Sequence, residues 1–248
     1  GPSPDSAQYN YMLFRRGAAA AAALGFAASK IACEASPSPS FEAWKARMQQ
    51  QHAPSAAVDF EAELAPFTAK RMDKYFLWQT LREGDRRIKN LAAWRWVERD
   101  GRSAVTDSVR EGYDPIPGRA RMSVLVQIGD ELNGHEGIVH GGFSAALLDD
   151  LIGWTTMAET EVQQLPGAPL TASLNLKYLR PVFSDRTYVV NMRAESVQRR
   201  QRPGPPSWAV TLHGEICDAE GNACVRAEAL YVVKTFTAAS LEKVAKGG

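Results

Sequence analysis

The chain has 248 residues, and its 29 basic and 28 acidic side chains leave a formal net charge of +1. So small a net charge gives no electrostatic basis for binding nucleic acid, and we expect no nucleic-acid partner. Hydrophobic residues make up 45% of the chain, enough for a sizeable core. The length allows one domain with extensions or two small domains. The three cysteines, Cys33, Cys217 and Cys224, lack metal-site spacing and suit a reducing or matrix-like compartment.

Residues 1–90 are interpreted as an N-terminal extension that contains an alanine-rich apolar segment at residues 11–33. Between Arg16 and Lys30 there are 13 uncharged residues, mostly alanine. A membrane-spanning helix needs about 20 apolar residues, so this segment is marginal. Three interpretations stay open. The segment is an organelle-targeting sequence, or it contacts a membrane as a short anchor or as a helix packed on a membrane partner, or it is a plain alanine-rich surface helix.

The rest of the extension alternates between linker and helix signals. Ser36–Ser40 is a stiff Pro/Ser linker, and the residues from Phe41 to Gln51 favour a helix. From Thr68 to Lys89 large apolar residues recur at roughly helical spacing, with many charges between them. This pattern predicts an amphipathic helix that lies against a sheet edge or a partner.

Residues 91–237 are predicted to form one α+β domain, followed by a C-terminal tail at 238–248. Strand patterns separated by turn signals cover residues 91–97, 121–128, 171–179, 186–197, 208–217 and 223–236. One long helix is predicted among them. An antiparallel sheet of five or more strands wrapped around one helix accounts for this order and for the period-two patterning.

The predicted helix follows Gly141-Gly142, and its apolar residues cover nearly all of its circumference. Such a helix is expected to be buried. It nevertheless carries Asp149 and Asp150, and a carboxylate on a buried helix needs a partner or a function. Free amides at a helix start can hold the oxygen of a polarised thioester or ester carbonyl, and a carboxylate can activate a water beside it.

Gly141 and Asp149 are eight residues apart, which is about 12 Å along a helix. They are too far apart to serve one carbonyl within one chain. Two copies of the helix, antiparallel across a two-fold axis, would bring the helix start of one copy to Asp149 of the other. We therefore predict an active site shared across a dimer.

Two motifs in order carry a resemblance to the hotdog-fold acyl-CoA thioesterases. The first is His140-Gly141-Gly142 with Asp149 nine positions after the histidine, and the second is the stretch from Leu170 to Pro181, with a basic residue before its proline. The chain resembles the group of phenylacetyl-CoA thioesterases and mitochondrial thioesterases similar to carboxyl-terminal modulator protein. The resemblance covers roughly Ala120 to Phe236, about half the chain, and implies a hotdog fold with a dimeric or hetero-paired arrangement.

The resemblance also implies roles for five residues. Asp149 matches the general base or nucleophile, and Gly141 or Gly142 matches the backbone donor of the oxyanion site. His140 matches the histidine that supports the loop and the bound acyl group. Thr171 matches the hydroxyl residue of the next strand, which positions water or the carboxylate.

One position departs from the pattern. Many relatives carry asparagine six positions before the histidine, where this chain has Gly134 between Asn133 and His135. His135 or Glu136 would then have to replace that side chain, or the site is weakened. Asn133 and His135 are therefore candidate substrate-binding residues.

A basic cluster at Arg199, Arg200 and Arg202, and Arg180 before Pro181, are the further candidates for substrate binding. In a thioesterase these arginines would contact the phosphates of coenzyme A. The alternatives for the cluster are a solvated hairpin tip or a docking site on an acidic or lipid surface.

The function implied is hydrolysis of fatty-acyl-CoA, with coenzyme A as part of the substrate and neither cofactor nor metal required. The alternative is a non-catalytic accessory subunit of a mitochondrial inner-membrane complex, respiratory or ATP synthase, docked through residues 1–90. Either interpretation places the protein in mitochondria, in the matrix or associated with the inner membrane. A dehydratase is a weaker third option, because the Asp149 spacing does not match the hotdog hydratases. The acyl-chain length does not follow from the sequence.

Overall fold

The computed structural model describes residues 39–52, 56–58, 86–98 and 118–235. The apolar segment at residues 11–33, most of the helix predicted from Thr68 to Lys89, and the C-terminal tail lie outside these described residues. Within them, no helix is both long and apolar enough to cross a membrane.

The strands of the described residues are β1 Ala57–Val58, β2 Ile88–Glu98, β3 Arg119–Ile128, β4 Asn133–His135, β5 Ile138–Val139, β6 Ala168–Tyr178, β7 Arg186–Arg199, β8 Ser207–Cys217 and β9 Ala223–Lys234. Seven of them form one antiparallel sheet, in the order β1-β2-β3-β7-β8-β9-β6. The other two, β4 and β5, form a small hairpin that precedes the long helix.

The described residues contain the α-helices α1 at Phe41–Gln51 and α2 at Gly141–Val162, and a short 3-10 helix at Asp130–Leu132. The concave face of the sheet packs around α2, whose side chains at Leu147, Leu148, Leu151 and Ile152 have no exposed area. Burial of a side chain of this kind contributes about 1.5–3 kcal/mol relative to leaving it in water. A long central helix wrapped by an antiparallel sheet is the hotdog fold, and the α+β prediction is confirmed.

Helix α1 forms where the sequence favours it, between Phe41 and Gln51, with the Ser40 hydroxyl accepting the amide of Ala43 at its start. It packs on the opposite face of the sheet from α2. Phe41 and Met48 contact a separate buried cluster, the outer-face cluster, whose remaining members are Ala56, Trp94, Leu125 and Val189. This part of the predicted extension therefore covers outward-facing side chains of β2, β3 and β7.

The helix predicted from Thr68 to Lys89 is wrong at its end. Ile88 and Lys89 belong to β2, in which Ile88 pairs with Ile128 of β3. Ile88 fits the helical spacing of the sequence, but it is buried through strand pairing, because tertiary contacts override a short periodic pattern.

Strand β6 lies at one edge of the sheet and pairs only with β9 among the described strands. Most of its side chains are exposed. Two large apolar side chains along this edge, Leu170 and Tyr178, are 46% and 56% exposed. An exposed edge strand with apolar side chains is a surface to which another strand can pair.

Candidate active site

The first turn of α2 leaves one backbone amide free. His140 is the N-cap residue, and its Nδ1 accepts the amide of Gly142 at 2.9 Å. Its carbonyl oxygen accepts the amide of Phe143 at 3.0 Å. Among the described residues no acceptor binds the amide of Gly141, so this N–H is available to a ligand at the positive end of the helix dipole.

The imidazole of His140 is packed between two glycines. A Cβ on Gly142 would lie 2.9 Å from Nδ1, and a Cβ on Gly134 would lie 2.9 Å from Cδ2. Because Nδ1 accepts a hydrogen bond, the ring carries its proton on Nε2. The glycine at position 134, where many relatives have asparagine, thus has a steric reason in this chain, because a larger residue there would press on the capping His140.

A cavity of about 570 Å³ opens beside the helix start. His135, His140, Gly141 and Ser144 line it together with Tyr178, Arg180 and neighbouring residues. The Tyr178 hydroxyl donates to the carbonyl oxygen of Gly141 at 2.9 Å, which holds the end of β6 against the helix. Arg180 donates to the carbonyl oxygen of Ala223 at 2.9 Å and borders the opening.

Asp149 lies two turns further along α2 and is held by hydroxyl groups from two strands. Oγ1 of Thr171 donates to Oδ1 of Asp149 at 3.1 Å. The hydroxyl of Tyr231 lies 2.9 Å from the same Oδ1 and 2.7 Å from the carbonyl oxygen of Asp149. Asp149 is half-buried and Thr171 is exposed, so the carboxylate is accessible from the β6 side.

Tyr231 is the residue of this group that was not predicted from the sequence. It is only 3% exposed, and burial raises its pKa well above the usual range for a tyrosine. The phenol therefore stays protonated and remains a hydrogen-bond donor. The available signal was weak: a tyrosine in a buried strand needs a polar partner, but only the pairing of Tyr231 with Thr171 in the β6–β9 ladder identifies which one.

The predicted site residues thus fall into two groups on one chain. His140 and Gly141 lie at the start of α2 beside the cavity, and Asp149 and Thr171 lie together two turns away. Eight residues of helix separate Gly141 from Asp149, which is about 12 Å. The two groups are parts of one reaction site only if two chains are combined.

The remaining predicted substrate-binding residues are spread over the molecule. His135 and Arg180 line the cavity, whereas Asn133 lies in β4 next to it with a buried side-chain oxygen that no described residue binds. Arg199 ends β7, and Arg200 and Arg202 follow in the turn before β8. The 14 residues of β7 span about 46 Å, so this cluster lies at the far end of the sheet from the cavity.

The sequence of residues 136–201 matches the Thioesterase superfamily. The matched segment contains the helix start, Asp149 and Thr171, and the predicted resemblance is confirmed. The fold is similar to that of a hypothetical thioesterase of Streptococcus pneumoniae with coenzyme A, at 16% identity over 47% of this chain and 84% of that one (TM-score 0.35).

Two further solved structures are similar to this chain. One is a thioesterase from Thermus thermophilus complexed with coenzyme A and Zn, at 13% identity over 50% of this chain and 92% of that one (TM-score 0.35). The other is the E. coli PaaI protein from the phenylacetic acid degradation operon, at 13% identity over 47% of this chain and 73% of that one (TM-score 0.34).

Proposed function

We propose that this protein hydrolyses acyl-CoA thioesters at a site that two copies of the chain share. One observation carries the proposal. The segment that matches the Thioesterase superfamily presents a free amide at the start of a buried helix and a hydroxyl-held carboxylate on the same helix. Together they supply the two functions that thioester hydrolysis needs, an oxyanion donor and a base.

The free amide of Gly141 binds the thioester carbonyl oxygen. A water molecule attacks the carbonyl carbon while the carboxylate of Asp149 takes its proton, and the oxygen becomes an oxyanion at the Gly141 amide. The C–S bond then breaks, the coenzyme A sulfur takes the proton back from Asp149, and the free acid remains. The helix dipole favours a negatively charged oxygen, so the Gly141 amide binds the carbonyl oxygen more strongly in the transition state than in the ground state.

The shared site follows from distance and from the free edge of the sheet. Gly141 and Asp149 of one chain are about 12 Å apart, too far for one carbonyl. Two copies that pair their β6 edges antiparallel across a two-fold axis would bury Leu170 and Tyr178. The same operation turns the two α2 helices antiparallel, so that each Gly141 approaches the partner copy's carboxylate.

Coenzyme A would enter through the cavity beside the helix start. Arg180 and His135 border the opening and are suited to phosphate or amide groups of the cofactor part of the substrate. The two-fold arrangement brings the far end of one sheet to the cavity end of the other. Arg199, Arg200 and Arg202 therefore remain candidates for the phosphates, contributed by the second copy.

The test is hydrolysis of a series of acyl-CoA substrates of increasing chain length by the purified full chain, with release of free thiol as the readout. We expect Asp149→Asn to reduce turnover by at least a hundredfold while the thermal unfolding temperature stays close to that of the parent. Equal turnover by the parent and Asp149→Asn would contradict the proposal.

The predictions of a mitochondrial location and of a non-catalytic subunit in an inner-membrane complex concern residues 1–90, which lie largely outside the described residues. The native mass of the endogenous protein separates the two functions. An active soluble dimer supports the thioesterase, and co-migration with a large membrane assembly without acyl-CoA hydrolysis supports the subunit.

A further inference from the structure

We propose that Tyr231 is a positioning residue for Asp149: with Thr171 it holds Oδ1 of the carboxylate, so that Oδ2 takes the proton from the attacking water. This inference rests on the proposed thioester hydrolysis and deepens it. It assigns separate roles to the two oxygens of one carboxylate.

The ladder between β6 and β9 sets up the arrangement. Thr171 and Tyr231 are direct partners across the two strands, and the register shifts immediately afterwards, between Thr171 and Ser173. Both side chains reach the same oxygen, Oδ1 of Asp149, at 3.1 Å and 2.9 Å. Within the described residues Oδ2 receives no hydrogen bond, so it is the oxygen left for proton transfer.

The Tyr231 hydroxyl has few alternatives to this role. Tyr231 is 3% exposed, and its hydroxyl oxygen lies 2.7 Å from the carbonyl oxygen of Asp149 as well as 2.9 Å from Oδ1. One phenol proton is therefore shared between the backbone and the side chain of the same residue, which fixes the carboxylate relative to its own helix. Burial raises the pKa of Tyr231 above the usual range for a tyrosine, so the phenol keeps that proton.

The helix leaves room for the phenol. Gly153 is one turn after Asp149, and a Cβ on it would lie 3.4 Å from the Tyr231 hydroxyl oxygen. This distance is an ordinary van der Waals contact, so an alanine at position 153 would leave the phenol in place.

The experiment compares Tyr231→Phe with the parent and with Tyr188→Phe. Tyr188 is also buried, at 2% exposure, but its hydroxyl bonds the backbone of Phe183 instead of a carboxylate. We expect Tyr231→Phe to lower kcat roughly ten- to hundredfold, the range that a hydrogen bond to a charged group commonly contributes. KM stays nearly unchanged, because the phenol holds the carboxylate, and Tyr188→Phe keeps kcat and KM close to those of the parent.

A second measurement does not depend on turnover. The ¹³C NMR signal of the Asp149 carboxyl carbon, assigned in carboxyl-labelled aspartate through Asp149→Asn, reports the hydrogen bond at one fixed pH. We expect its chemical shift to change in Tyr231→Phe and to stay in place in Tyr188→Phe. An unchanged chemical shift and an unchanged kcat in Tyr231→Phe would overturn the role of Tyr231 while leaving hydrolysis intact. A changed chemical shift in a protein that hydrolyses no acyl-CoA would instead support the contact and contradict the proposed function.

Discussion

The amide of Gly142 donates to Nδ1 of His140 at 2.9 Å, and this bond leaves Gly141 as the glycine whose amide is free for the proposed reaction. Gly141 and Gly142 each have a backbone amide at the start of α2, but the amide of Gly142 is already bonded to His140. In the proposed hydrolysis the oxyanion role therefore falls to Gly141, the residue whose amide has no acceptor among the described residues.

Gly141→Pro tests this assignment, because proline replaces the amide hydrogen with a ring carbon and so cannot donate. Proline is well tolerated at the first position of a helix, and His140 already has an extended backbone, with φ −62° and ψ 131°. We expect kcat to fall about 100- to 1000-fold, the effect of removing one oxyanion donor. The measurement is steady-state hydrolysis of a good acyl-CoA substrate.

Gly141→Ala is the matched control. Its Cβ would lie 3.4 Å from the Tyr178 ring, close to an ordinary contact, and the amide hydrogen stays. We expect most of the activity to remain. If alanine and proline were equally damaging, the loss would come from the side chain and the amide assignment would be wrong.

Mixed dimers test whether the site is shared. A chain with Asp149→Asn keeps its helix-start amide, and a chain with Gly141→Pro keeps its carboxylate. A mixed dimer therefore contains one complete site. Random co-assembly of equal amounts should restore about a quarter of the parent activity per chain, because half of the dimers are mixed and each has one of two sites intact. Each variant alone stays inactive, and no recovery in the co-expressed mixture would contradict the shared site.

Gly134→Asn tests the steric reason for the departure at this position. The new Cβ would lie 2.9 Å from Cδ2 and 3.2 Å from Cα of His140, so either the ring or the β4–β5 hairpin must move. We expect a loss of about 1–3 kcal/mol in the free energy of unfolding, the usual cost of overpacking. Hydrolysis should fall with it, because a displaced His140 no longer caps Gly142.

Chemical denaturation measures that loss, and Glu136→Ala, at an exposed position between β4 and β5, is the stability control. An asparagine variant as stable as the parent would show that His140 adapts to the larger residue. Higher activity in that variant would mean that the asparagine function of the relatives can be restored here.

Many of the helices and strands could be predicted from the sequence, because each depends on the spacing of apolar residues that are close together in the chain. The apolar repeat after Gly142 predicts α2, the residues from Phe41 to Gln51 favour α1, and alternation predicts the later strands within a few residues of their bounds. The proximity of Asp149 and Thr171, implied by the resemblance, is present in the structure at 3.1 Å.

What could not be predicted depends on pairings distant in sequence. Which of the two glycine amides, that of Gly141 or that of Gly142, is free depends on the rotamer of His140. The contact of Tyr231 with Asp149 joins residues 82 apart and depends on the register of β6 against β9. Ile88 repeats at helical spacing yet pairs in a strand, since the partner that buries it, Ile128, is 40 positions away.

Phe41→Ala separates stability from activity. Phe41 is 8% exposed and packs in the outer-face cluster, on the side of the sheet away from α2. We expect a loss of about 3 kcal/mol in the free energy of unfolding, at the low end for a buried phenylalanine. kcat at a temperature where the variant is folded should change less than twofold, because none of the proposed reacting groups lies on that face. Glu42→Ala, an exposed position on the same helix, should leave both quantities unchanged. A large drop in kcat for a folded Phe41→Ala would show that α1 acts on the site through the sheet.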